Sequence, residues 1–181
     1  TDTAAMHLGA TCWSIYATSA PEQMEQMLRN ASSRIVVTER ALVARLLAVR
    51  GRVPCLEHIV LVDGPSEAGL ISMDELERRG APEFDFEAAW RAVTSEDVLC
   101  LIYSSGTTGP SKGVVFPWAV VYQFWSWLPD DGMGPTDRIY CALTMSHNSG
   151  RSAFNYAMVR GATVVARERF SGNEFWSDVR E

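Results

Sequence analysis

The segment Tyr103-Ser-Ser-Gly-Thr-Thr-Gly-Pro-Ser-Lys-Gly113 concentrates one kind of chemistry in a short span. Ser104, Ser105, Thr107 and Thr108 supply hydroxyl donors, and Lys112 adds a mobile positive charge. Gly106, Gly109 and Gly113 let backbone N–H groups approach a ligand with no Cβ in the way. Many donors, one cation and no carboxylate make a cradle for phosphate oxygens.

The common phosphate motifs do not describe it. Aligned on Lys112, the nucleotide loop G-x-x-x-x-G-K-[ST] finds Gly106 at its first position. It then meets Ser111 where its second glycine belongs and Gly113 where its Ser or Thr should hold magnesium. The dinucleotide pattern G-x-G-x-x-G fails because no two glycines of the segment are separated by one residue. A plain turn also uses Gly, Ser and Thr. The ordered run S-G-T-T-G-x-x-K-G directly after a buried strand is far more specific than that.

The elements around the loop alternate. VLCLIYS (98–104) is the strongest strand pattern of the chain and runs straight into the loop, and GVVF (113–116) resumes as a strand beyond it. Upstream, an opening helix is followed by CWSIYA (12–17), read as extended. PEQMEQMLRN (21–30) has helical spacing of Met24, Met27 and Leu28, IVVT (35–38) reads as a strand, ERALVARLLAV (39–49) as a helix and HIVLVD (58–63) as a strand. SMDELERR (72–79) reads as a helix opened by a capping box of Ser72 and Glu75, and FEAAWRAV (86–93) as another short helix. Downstream, PWAVVYQFWSWL (117–128) begins with proline at a first helical position, and its aromatic side chains are expected to pack in the core. RIYCALT (138–144), SAFNYAMVR (152–160), ATVVARE (162–168) and NEFWSDVR (173–180) continue the alternation. Such a sequence predicts an α/β fold with a mostly parallel β-sheet flanked by helices.

The chain has 181 residues, 47% hydrophobic and 21% charged, with a formal net charge of -6 and a pI near 5.1. This is the composition of one ordinary globular domain. The acidic balance argues against nucleic acid or an anionic lipid surface as partner, because their binders present a basic face. Cys12, Cys55, Cys100 and Cys141 are far apart and show no C-x-x-C pairing, so they read as reduced core residues. With no signal peptide and no apolar stretch of about 20 residues, a cytoplasmic location and no transmembrane segment are expected. The first residue is not methionine and FWSDVRE carries no closing signal, so the chain is expected to be a piece of something longer.

YSSGTTGPSKG resembles the signature [YF]-T-S-G-T-T-G-x-P-K-G of the adenylate-forming, AMP-binding superfamily, which includes acyl-CoA synthetases, nonribosomal peptide adenylation domains and firefly luciferase. The stretch LGATCWSIYATSAPEQMEQMLRNASSRIVVTE is similar to the upstream segment of fatty-acyl-CoA synthetases. FDFEAAWRAVTSEDVLCLIYSSGTTG and GATVVARERFS resemble segments of the same bacterial enzymes. A second family motif, L-P-L-x-H-x-x-G, corresponds to Leu143-Thr-Met-Ser-His147-Asn-Ser-Gly150.

The resemblance implies an enzyme that joins a carboxylate to the α-phosphate of ATP with Mg2+, releases pyrophosphate and passes the acyl group to coenzyme A. On that basis Ser104, Ser105, Gly106, Thr107, Thr108, Gly109 and Lys112 are expected to bind the β- and γ-phosphates, with Lys112 also neutralising the leaving pyrophosphate. His147 is expected beside the acyl carboxylate, whereas His7 and His58 have no such context. The substrate is expected to be a medium- or long-chain fatty acid. An aryl or amino acid activator and a noncatalytic nucleotide-binding module remain the alternatives.

Departures from the family pattern are Ser111 for the usual proline, Pro117-Trp118 for a common Thr-His, and Thr144 for the proline of the second motif. The family's aromatic-Gly-x-Thr-Glu segment, its ribose-binding Asp and the catalytic Lys of its C-terminal lid domain have no counterpart in residues 1–181. The resemblance therefore implies a fragment of one AMP-binding N-terminal domain that does not complete catalysis alone.

Overall fold

The computed structural model describes residues 1–104, 109–126 and 132–180. They fall into two compact units, each described here by itself: Thr1–Gly9 with Ile15–Val93 and Tyr103–Val114, and Ala10–Ser14 with Thr94–Ile102 and Val115–Glu181.

In the first unit, β1 (Ile35–Thr38), β2 (His58–Leu61) and β3 (Ile71–Ser72) form a sheet in that order, with both pairings parallel. Ile59, Val60 and Leu61 are completely buried, as continuous apolar runs in a parallel sheet should be. The helices α1 (Asp2–His7), α2 (Pro21–Asn30), α3 (Arg40–Arg50), α4 (Met73–Arg78) and α5 (Phe86–Arg91) belong to this unit. α2 and α3 pack together and bury Met24, Met27 and Leu28 from one, Val43, Leu46 and Val49 from the other. Burial of six such side chains is the main force holding the pair, at about 1.5–3 kcal/mol for each large apolar residue.

Local polar contacts set the helix ends. Asp63, just past β2, accepts the Arg40 N–H at 2.7 Å and so satisfies a free donor at the start of α3. Ser72 Oγ accepts the Glu75 N–H at 3.1 Å and caps α4, but the Glu75 carboxylate turns to Arg78 at 2.6 Å and Arg79 at 2.9 Å. The expected capping box is thus half formed: the Ser72 N–H that Glu75 would accept donates instead to Ser66 Oγ at 3.0 Å, and two guanidinium groups hold the acid.

Glu25 joins α2 to the end of α3 through Arg52 at 2.6 Å. That hydrogen bond, foremost, holds the Glu25 carboxyl below the usual carboxylate range. A lowered folded value means stability that is present above the ordinary carboxylate pKa and lost as pH falls through the lowered one. Glu25→Gln is therefore expected to lower Tm at pH 7 and to flatten the fall of Tm on acidification towards pH 3. Parallel curves for variant and wild type would refute the coupling.

In the second unit, β6 (Arg138–Cys141) and β7 (Thr163–Ala166) pair in parallel, and the chain between them forms α7 (Asn148–Arg160). This is a βαβ arrangement, the form that parallel neighbours require. β4 (Val98–Tyr103) and β5 (Gly113–Pro117) make a two-stranded sheet, with Val98–Ile102 and Val115–Pro117 in this unit and the loop ends Tyr103 and Gly113–Val114 in the first. α6 (Trp118–Ser126) packs on α7, with Trp125 and Tyr156 rings 5.6 Å apart. The short α8 (Phe175–Asp178) is tied down by Asp178, which pairs with Arg167 at 2.8 Å and accepts from the Tyr140 hydroxyl at 3.3 Å.

Some elements differ from the sequence reading. CWSIYA does not form a strand; Cys12 alone bridges to Cys100. Cys12 exchanges backbone hydrogen bonds with Leu99 and Leu101 of β4, and the chain turns at Tyr16–Ser19, where the Ser19 N–H donates to the Tyr16 carbonyl at 2.9 Å. Pro117 ends β5 instead of opening α6. The aromatic helix is not a core helix all round: Val121 is buried and Trp118 and Trp125 are half-buried, while Tyr122 and Phe124 are 65% and 63% exposed. Residues 121 and 125 share a face at helical spacing, and 122 and 124 fall to either side of it. The four cysteines form no disulfide: Cys12, Cys100 and Cys141 are buried and Cys55 is half-buried. Among the described residues no helix is long and apolar enough to cross a membrane.

Candidate active site

The phosphate-type loop begins where β4 ends. Tyr103, the last residue of β4, is buried, and its hydroxyl donates to Asn30 Oδ1 at 2.7 Å and approaches the Met27 carbonyl at 3.4 Å. Burial pushes the phenol pKa up, so the hydroxyl keeps its proton and remains a donor. Gly113 faces the same ring: a Cβ at 113 would stand 3.0 Å from Tyr103 Cζ, closer than ordinary contact allows. The first and last residues of the motif are thus fitted to each other.

Inside this pair the backbone is pinched shut. The Ser104 N–H donates to the Lys112 carbonyl at 3.0 Å, and the Lys112 N–H donates to Ser104 Oγ at 3.1 Å. Gln26 Nε2 reaches the Ser111 carbonyl at 3.4 Å. Ser104, Gly109 and Lys112 are exposed at the surface, with Gly109 at φ 151°. Ser105, Gly106, Thr107 and Thr108, also predicted at this site, lie outside the described residues.

The second motif lies in the other unit and forms the start of α7. The Thr144 hydroxyl pairs with Ser146 Oγ at 2.8 Å, and the His147 N–H donates to the Thr144 carbonyl at 3.1 Å. The residue that departs from the family's proline therefore fixes the turn with its own side chain. His147 is the N-cap of α7: its Nδ1 accepts the Ser149 N–H at 3.2 Å and lies 3.1 Å from Ser149 Oγ. A lone pair on Nδ1 places the ring proton on Nε2, so this imidazole offers an N–H donor on its outer side.

Gly150 lies in the first turn of α7 and is buried against the preceding turn. A Cβ there would collide with the Thr144 carbonyl oxygen and stand 2.6 Å from Thr144 C and 2.7 Å from the Leu143 oxygen. The motif's glycine is required by backbone packed on backbone.

Sequence reasoning missed several residues here. Asn30 and Gln26 hold the loop from a helix more than 70 residues away in the chain. Their one sequence signal is a polar i, i+4 pair bordering the apolar stripe of α2. Arg151 and Asn155, another i, i+4 pair, are 2% and 5% exposed on α7. A charged residue buried one position after the motif glycine is not foreseeable from periodicity.

A parallel α/β fold with a hydroxyl-rich, lysine-bearing loop after a buried strand defines a broad structural class. Within it the chain belongs to the AMP-binding enzyme family, whose sequence pattern matches residues 1–181. It is 30% identical over 173 residues to 4-coumarate–CoA ligase-like 4 of Oryza sativa subsp. japonica, covering 92% of this chain and 31% of that protein. Acetyl-coenzyme A synthetase of Bacillus subtilis is 26% identical over 184 residues, covering 98% of this chain and 31% of the relative. A Mycobacterium tuberculosis protein named as a fatty-acid–CoA ligase is 38% identical over 100 residues, 54% of this chain and 17% of that one. The chain thus spans about a third or less of the length of the relatives it matches. The anthranilate CoA ligase AuaEII, solved with anthranoyl-AMP, shares the fold with a TM-score of 0.76 at 24% identity, over 88% of this chain and 31% of that one. These relatives and this fold neighbour are named as CoA ligases or synthetases of different acids.

Proposed function

We propose that this chain serves an ATP-dependent ligase that activates a carboxylic acid as acyl-AMP, with release of pyrophosphate, and passes the acyl group to coenzyme A. The observation that carries the reading is the pinched loop, which presents the exposed Lys112 and the Ser104 hydroxyl from one fixed mouth. Family membership supplies the reaction class.

In this reading Ser104, Ser105, Gly106, Thr107, Thr108 and Gly109 donate to the β- and γ-phosphates and Lys112 offsets the charge of the departing pyrophosphate. A carboxylate attacks the α-phosphorus, the P–O bond to pyrophosphate breaks, and AMP becomes the leaving group for the thiol of coenzyme A. Nucleotidyl transfer of this kind depends on positioning and charge stabilisation. His147 donates from Nε2 to the acid's carboxylate and steadies it for attack. The loop's hydroxyls, backbone N–H groups and ammonium are donors suited to phosphate oxygens. Magnesium would arrive on the nucleotide.

We take the acid to be a medium- or long-chain fatty acid, supported by the 38% identity to the mycobacterial relative of that name. An aryl acid is the second reading, favoured by the rice relative matched over 92% of the chain. We place the chain in the large N-terminal domain of a longer enzyme in the cytoplasm. Thioester formation from coenzyme A, ATP and a panel of fatty, aryl and amino acids tests the proposal in the protein carrying this chain. Fatty acyl-CoA as main product is expected; ATP binding without turnover of any acid would overturn the catalytic reading.

The cap and the chemistry of His147 separate by substitution. Asparagine is also a good N-cap, so His147→Asn is expected within about 0.5 kcal/mol of wild-type stability, whereas His147→Ala loses about 1 kcal/mol. Both are expected to slow adenylate formation at least about tenfold, or about 1.4 kcal/mol. Normal turnover in His147→Asn would reduce His147 to a structural cap.

A further inference from the structure

We infer that Gln26 and Asn30 of α2 are positioning residues that set the mouth of the phosphate loop from both sides. The inference rests on the loop's reading as a phosphate site. One turn apart on α2, the two side chains share a helix face. Asn30 accepts from Tyr103 at the residue before the loop, and Gln26 donates to the Ser111 carbonyl at the residue before Lys112. Between these attachment points lies the reciprocal Ser104–Lys112 pair.

The clamp has a rigid base. α2 buries Met24, Met27 and Leu28, and Glu25 ties it to Arg52. A loop held at both ends by one helix keeps its width fixed, which is what a site that binds by pre-set geometry needs. The Ser111 attachment also answers a sequence departure. Ser111 lacks the proline ring that would limit the backbone there, and the Gln26 bond constrains the same residue from outside.

Two isosteric or near-isosteric variants test the clamp. Gln26→Glu replaces the donor with an acceptor that faces a carbonyl, and Asn30→Leu removes the acceptor, while Asn30→Asp keeps it. The first readout is amide exchange at Lys112, whose N–H donates to Ser104 Oγ. Exchange about tenfold faster in Gln26→Glu and Asn30→Leu, and near wild type in Asn30→Asp, is expected, with Tm measured alongside to separate global loosening. Unchanged exchange overturns the clamp.

The second readout is ATP titrated into each variant and into Lys112→Ala. Affinity about fivefold weaker in Gln26→Glu and Asn30→Leu, restored in Asn30→Asp, supports positioning. Wild-type ATP affinity in the two clamp variants, with binding lost in Lys112→Ala, overturns positioning and leaves the phosphate site standing. Equal affinity in wild type and Lys112→Ala overturns the phosphate reading, and with it the role given to Gln26 and Asn30.

Discussion

Gly150→Ala is expected to cost roughly 3 kcal/mol of stability, at the upper end for overpacking in a tight site. The added methyl would meet the Thr144 carbonyl oxygen and stand 2.6 Å from Thr144 C, and both neighbours are backbone. No rotamer change can make room, so the start of α7 must move away from the turn that His147 caps. For a chain of this size a loss of that order lowers Tm by about 6–12 °C. Gly51→Ala is the control: its φ is -64° and nothing lies within 4 Å of the Cβ it would gain, so a change within about 0.5 kcal/mol is expected. Thermal or urea unfolding reads both. Equal melting of Gly150→Ala and wild type would mean that this turn yields easily, and the steric account of the motif glycine would be wrong.

Lys112→Ala is expected to slow adenylate formation at least about tenfold, a loss of about 1.4 kcal/mol in transition-state stabilisation, while leaving the melting temperature near wild type. The two effects separate because the side chain is exposed and only the backbone of Lys112 takes part in closing the loop. ATP–pyrophosphate exchange measures the first effect and thermal unfolding the second. Lys112→Arg is a sharper variant: it keeps the charge but exchanges a compact ammonium for a broad planar fork, so partial activity is expected. Wild-type exchange in Lys112→Ala would remove the loop from the chemistry. The reverse outcome, lost exchange with a large fall in Tm, would make the lysine structural.

Much of the framework was legible because the signals were local and periodic. Met24, Met27 and Leu28 announced α2 with its observed bounds, and IVVT and HIVLVD announced two strands that pair in parallel, the second ending at Leu61, two residues earlier than read. The donor-rich character of the loop was legible in its residue types, and its use for phosphate stands as a proposal. What was missed depends on contacts distant in sequence or on competition between neighbours. The exposure of Tyr122 and Phe124 follows from which face of α6 meets α7, information that a helix apolar on most faces does not carry. Glu75 was expected to complete a capping box, but Arg78 and the C-cap Arg79 hold its carboxylate while Ser66 Oγ takes the Ser72 N–H. His147 was picked out for chemistry, and its part in capping α7 came only from the geometry of Nδ1.

The fit of Gly113 to Tyr103 makes the order of substitution matter. A methyl at 113 introduced first must push the Tyr103 ring, and any shift of that ring strains the 2.7 Å bond to Asn30. If position 103 first becomes a smaller residue, the same methyl enters free space, but the Asn30 contact has already been given up. The two routes reach the same double variant through intermediates that fail differently, one by crowding and one by loss of an anchor. Neighbours coupled in this way are non-additive. Gly113 is therefore constrained by the ring at position 103 as much as by any ligand the loop would hold.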